Sequence, residues 1–121
     1  MKERLFDLEE RLIDFAVRII RLADALPRSL LGNHIRGQLL RSDTSAAPNY
    51  GEAQSSESPN DFMHKLRIVL KELRETRVWL LIIRRAELIQ SVNALDPLLV
   101  EANELISIFV ASVRTASKRQ S

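Results

Sequence analysis

The stretch LFDLEERLIDFAVRIIRLADAL, residues 5–26, decides the fold class. Its apolar residues Leu5, Leu8, Leu12, Phe15, Ile19, Leu22 and Leu26 recur at alternating steps of three and four, the spacing of one helix face. A second set, Phe6, Ile13 and Ile20, recurs every seven residues beside the first. One core explains one stripe; two stripes give the helix two partners. Leu26-Pro27 ends the segment, because the residue before a proline avoids the helical region.

Working outward, the pattern repeats three more times. Residues 29–55 hold all three glycines (Gly32, Gly37, Gly51) and a thin apolar set, which reads as a helix packing closely through small side chains. Pro48 sits inside it; lacking an N–H and crowding the carbonyl of Thr44, it should kink the helix near Ala47 or end it there. Residues 59–89 open with Ser58 as N-cap, Pro59 in the first helical position and Asp61 in the first turn. Phe62, Leu66, Val69, Leu73, Thr76, Leu80 and Ile83 then run at heptad steps. The stretch from Val78 to Ile83 is apolar all round, more than one small bundle encloses, so it should be buried between subunits with Trp79 as anchor. Residues 96–118 begin at Asp96-Pro97, read as N-cap and first-position proline, and carry Leu98, Ala102, Leu105, Phe109 and Ser112 on one seam and Leu99, Ile106 and Val113 on another. Four amphipathic helices with short connections (3–26, 29–55, 59–89 and 96–118) predict an all-α, antiparallel up-down-up-down four-helix bundle in a single domain spanning residues 1–121.

Composition narrows the function classes. The 121 residues contain no cysteine, which removes disulfides, thiolate metal sites and cysteine nucleophiles. The two histidines, His34 and His64, lie in no metal-ligand spacing. Glu72 with Glu75 and Glu101 with Glu104 are carboxylates three apart, but the Glu-x-x-His pairs of a di-metal bundle are missing. There is no glycine-rich phosphate loop and no serine elbow. The expectation is a non-enzyme with no cofactor and no small-molecule substrate. No apolar run spans a membrane and the N-terminal residues lack a leader pattern, so the expected compartment is the cytoplasm.

Two polar constellations remain. Gln38, Arg41, Ser45, Asn49 and Glu52 share one face of the second helix. They form an interior network with Glu75 across the bundle, a solvated face, or a binding site. Arg67, Lys71 and Arg74 make a basic stripe on the third helix, and Arg114, Lys118 and Arg119 a basic end on the fourth. Such stripes are either solvated faces or contacts to a nucleic-acid backbone. A net charge of +2 does not choose between them.

The run from Gln38 to Ala53, with Arg41-Ser42, Ser45, Asn49 and Glu52-Ala53, resembles the signature helix of the four-helix-bundle family named after the 23S ribosomal RNA intervening-sequence proteins. Asp61-Phe62, Lys65-Leu66, the stretch Lys71 to Thr76 and Trp79-Leu80 resemble its third helix, and Glu101 to Ile106 with the tail through Thr115 its fourth. Pro48 departs from the pattern, standing where the family carries a small helix former. The resemblance implies a left-handed bundle assembled as a ring-like homopentamer, without established catalytic activity. It also implies that Gln38, Arg41, Ser45, Asn49, Glu52 and Glu75 are structural. Some members of the family are encoded inside inserts of ribosomal RNA genes, and a related bundle serves diversity-generating retroelements.

These observations predict a homo-oligomeric scaffold whose interface uses Phe6, Ile13, Ile20, Trp79 and Ile82. RNA or ribonucleoprotein would meet the basic residues Arg67, Lys71, Arg74, Arg114, Lys118 and Arg119. The alternatives are a protein-partner adaptor without nucleic-acid contact and an accessory protein of a retroelement-like system.

Overall fold

The computed structural model describes the backbone of residues 2–120 and the side chains of residues 8–119. Four helices make up the chain: α1 (Lys2–Asp24), α2 (Leu30–Gln54), α3 (Pro59–Arg85) and α4 (Asp96–Gln120), with a 3₁₀ turn at Val92–Leu95 before α4. The helices pack in cyclic order, α1 on α2, α2 on α3, α3 on α4 and α4 back on α1, the last seam being the thinnest. α1 and α3 therefore sit diagonally, run parallel, and present their outer faces on opposite sides of the bundle.

The heptad seams read from the sequence are the core. Leu12, Phe15 and Ile19 of α1, Leu39 of α2, Leu66, Leu73, Leu80 and Ile83 of α3, and Leu105 and Phe109 of α4 are almost fully buried. Burying each such side chain stabilises the fold by about 1.5–3 kcal/mol before entropy is counted. Tyr50 and Phe109 meet edge to face, ring centroids 5.5 Å apart, and so bridge α2 and α4 through the middle of the bundle.

The connections show why the helices start where they do. Ser29 Oγ accepts from the Gly32 amide at 3.1 Å, and Ser58 Oγ accepts from the Asp61 amide at 3.1 Å, so each serine satisfies one orphan donor. Gly32 lies so close to the α1–α2 turn that a Cβ there would stand 2.0 Å from the Pro27 carbonyl oxygen. Arg36 locks the same turn by donating to the carbonyls of Ala23 at 3.0 Å and Pro27 at 3.3 Å.

Several boundaries differ from the sequence reading. α1 ends at Asp24 rather than 26, because the chain tightens into bonds three residues apart, Ala25 to Leu22 and Leu26 to Ala23. α3 ends at Arg85, not 89. Glu87 adopts a left-handed φ of 52°. The Glu87 amide bonds the Arg84 carbonyl at 3.2 Å, and the Leu88 amide bonds Ile83 at 3.1 Å. That pair of bonds is a Schellman stop. Asp96 is not an N-cap: it is already helical (φ −60°, ψ −47°) and its carboxylate is taken by Arg84 at 2.7 Å. Phe62, placed on the α3 seam, is exposed, and its neighbour Met63 is buried instead. Pro48 does not end α2, which runs unbroken to Gln54; Pro48 and Thr44 both lie on the exposed side, where water can reach the carbonyl that loses its partner.

Candidate functional site

The polar stripe of α2 lies along the seam with α3, half in water. Arg41 is its centre. Its guanidinium donates to Glu75 and, at 3.3 Å, to Glu72. Glu72 is a buried carboxylate, 6% exposed, so this cation offsets a charge that water cannot reach. Hydrogen bonding from Arg41, helped by the Trp79 indole N–H at 3.3 Å, holds the Glu75 carboxyl below its ordinary range. Trp79 in turn meets His34 of α2 edge to face at 6.2 Å. Asn49 turns back on its own helix, donating to the Ser45 carbonyl at 2.9 Å and hydroxyl at 3.0 Å. Glu52 accepts from Lys65 of α3 at 3.1 Å. Gln38 lies half-buried on the same face. The stripe is thus a seam network in which Arg41 reaches Glu75 and Glu72 while Asn49 and Glu52 take other partners.

A second polar group is buried outright, and the sequence reading placed only its Thr76 on a core seam. Ser42, Asp43, Glu72 and Thr76 are each at most 6% exposed. Thr76 Oγ1 and Ser42 Oγ lie 2.9 Å apart across the α2–α3 seam. Asp43 has no such company: neither carboxyl oxygen has a hydrogen-bond partner. Burial alone pushes its carboxyl up to about 8. One signal could have found the group. The α2 seam Ile35, Leu39, Ala46, Tyr50 and Ala53 leaves the heptad slot at 42 and 43 to be filled.

The outer faces of the two diagonal helices are apolar where a monomer should be polar. Ile13 (43%), Val17 (37%) and Ile20 (44%) lie exposed in one line on α1. Val78 (50%) and Ile82 (39%) do the same on α3. A shallow cleft of about 430 Å³ opens there between Val78, Leu81, Ile82, Arg85 and Ala86. Trp79 is half-buried, while Leu80 and Ile83 are buried in the core. Phe6, assigned to the same α1 stripe, has a side chain outside the described residues. The bases Arg67, Lys71 and Arg74 are all exposed on α3, and Arg114, Lys118 and Arg119 on α4. Among the described residues no group of three His, Cys, Asp or Glu could hold a metal ion, and no helix is long and apolar enough to cross a membrane.

Comparison with known proteins places this architecture. The profile of the family described as 23S rRNA-intervening sequence protein matches residues 6–111, most of the chain. The chain belongs to that family. A solved structure from Bacteroides thetaiotaomicron, described as a protein with unknown function from the S23 ribosomal protein family, is similar over 88% of this chain and 97% of its own. It shares 31% sequence identity, with a TM-score of 0.79. No curated protein matches. The resemblance carried by Arg41, Ser45, Asn49 and Glu52 therefore pointed to the right family and to the right four-helix fold.

Proposed function

We propose that this 23S rRNA-intervening sequence family protein is a non-enzymatic subunit of a homo-oligomeric helical scaffold. One observation carries the reading: two apolar strips, Ile13-Val17-Ile20 and Val78-Ile82, left open on diagonal helices. Exposed apolar lines of this kind mark association surfaces. Because they face opposite ways, a single two-fold contact covers only one of them. A head-to-tail contact between the α1 strip of one copy and the α3 strip of the next covers both, and forms a ring when the rotation from copy to copy completes a circle. The family resemblance supports a ring of five copies.

Association with RNA or ribonucleoprotein is the second part of the proposal. It rests on the exposed bases Arg114, Lys118 and Arg119 at the end of α4, and on whichever of Arg67, Lys71 and Arg74 the ring leaves in water. The family's description, tied to 23S rRNA intervening sequences, supports that setting. Light scattering at micromolar concentration tests the first part: a multiple of 13.8 kDa is expected, and a clean monomer overturns it. Retention of RNA should fall steeply with salt, by about 0.7–0.9 in log affinity per log salt for each phosphate contacted. Retention that is absent or indifferent to salt removes the second part.

A further inference from the structure

The α3 bases share an outer face with the α3 apolar strip. Taking 100° per residue, Arg67, Arg74, Val78 and Arg85 fall within a narrow arc flanked by Lys71 and Ile82, and all six are exposed. The face is basic from Arg67 to Arg74 and apolar at Val78 and Ile82, with Arg85 at its C-terminal end. α1 carries the counterpart. Glu9, Glu10, Ile13, Val17 and Ile20 share its outward arc, all exposed, acidic first and apolar after.

Contacts inside the bundle bracket the relative heights of these faces. Traced through α2, Glu9 acts electrostatically on Tyr50, and two residues further on Glu52 pairs with Lys65 of α3. Traced through α4, Arg11 pairs with Glu101, and two residues further on Asn103 accepts from Arg77 of α3 at 2.7 Å. Glu9 and Glu10 thus lie level with the 67–77 stretch of α3. Ile20, ten or eleven residues higher, lies level with the stretch from Val78 through Arg85 to the turn at Leu88. α1 and α3 run parallel, and rotation about an axis along the bundle preserves both direction and height.

We propose that the basic stripe of α3 is the charged half of the subunit interface, and that a second copy of this chain occupies it. Glu9 and Glu10 of one copy meet Arg67 and Arg74 of the next, while Ile13, Val17 and Ile20 cover Val78, Ile82 and the cleft beside them. Charge complementarity selects the occupant and sets the register. Among the described residues none of Glu9, Glu10, Arg67 and Arg74 has an ion-pair partner within its own chain. Antiparallel docking would set the acids against Val78 and Ile82 and leave the bases facing Ile20. This inference rests on the oligomeric reading above.

Charge swapping tests it. The variant R67E/R74E and the variant E9K/E10K should each raise the concentration of half-assembly about tenfold or more, seen by light scattering, because each sets like charges face to face. The chain carrying all four changes restores opposite signs and should regain the wild-type mass. A monomeric wild type defeats the oligomeric reading itself. A wild-type oligomer that both double variants preserve, or that the four-fold variant fails to rescue, overturns only the register proposed here. If R67E/R74E keeps its mass but loses retention of a fluorescent RNA hairpin, the stripe belongs to nucleic acid and the proposal falls.

Discussion

Asp43→Asn should make this protein more stable, by an amount that grows with pH. Asp43 is 3% exposed and neither of its carboxyl oxygens has a partner. Its carboxyl, ordinarily at 3.8, is pushed up to about 8 in the folded chain because burial penalises the charged form. The unfolded chain therefore releases this proton first. Stability is unaffected by the group below about pH 4, falls as pH rises between the two values, and levels off above the folded one. Each pH unit of that interval is worth about 1.36 kcal/mol, so the penalty is about 4 kcal/mol at pH 7 and about 5–6 kcal/mol above pH 8.

Asparagine keeps the size and the buried polar atoms and removes only the ionisation. Urea unfolding of both chains at pH 4.5, 7 and 8.5, at one subunit concentration, separates the two contributions. Near pH 4.5 the variant should lead by only about 1 kcal/mol. By pH 7 the variant should lead by about 4 kcal/mol, with an unchanged slope against urea. Every other ionisable group is common to both chains and cancels in the difference. A difference that stays flat from pH 4.5 to 8.5 would refute the reasoning, because Asp43 would then be charged and satisfied in the fold.

Other expectations follow from local geometry. Glu87→Gly relieves a left-handed backbone position that glycine occupies freely, and should raise unfolding free energy by about 1 kcal/mol in thermal or urea melts. Gly32→Ala drives a methyl to 2.0 Å from the Pro27 oxygen and should lower the melting temperature sharply. Gly37→Ala meets nothing within 4 Å and should stabilise α2 by about 0.5–1 kcal/mol. Arg41→Ala leaves the buried Glu72 without its cation and should lower the urea midpoint, with Glu72→Gln recovering part of the loss in the double variant.

The sequence reading and the structure agree wherever a periodicity carried the signal. The α1 seam Leu12, Phe15, Ile19, Leu22 and Leu26 and the α4 seam Leu98, Ala102, Leu105 and Phe109 are buried as their spacing requires. Ser58 and Ser29 cap their helices through the bonds their side chains allow. The end of α3 was not legible, because its stop uses a glutamate in the left-handed position where glycine is the usual sign. Asp96 misled for a related reason: an aspartate before a proline fits an N-cap, but a tertiary partner, Arg84, took the carboxylate. Asp43 was hidden because a polar residue type interrupts the apolar rhythm, and only the phase of its neighbours reveals that the slot faces inward. The Arg41 stripe was legible as a face, while its division between Glu72, Glu75 and Lys65 depended on where α3 sits.

The distribution of charge argues more about assembly than its sum does. A net charge of +2 conceals two populations of side chains. Arg11, Arg41 and Arg84 are tied to carboxylates across helix seams and Arg36 to backbone carbonyls, so they hold the protomer together. The exposed acids Glu9 and Glu10 gather on α1, and the exposed bases Arg67, Arg74 and Arg85 gather on α3, the diagonally opposite helix. A surface evolved only to hold phosphates needs one sign of charge and gains nothing from an acidic face on the other side. A subunit that binds its own copy head to tail needs both signs, separated, at matching heights and next to apolar surface that also lacks cover. The α1 and α3 faces meet each of those conditions.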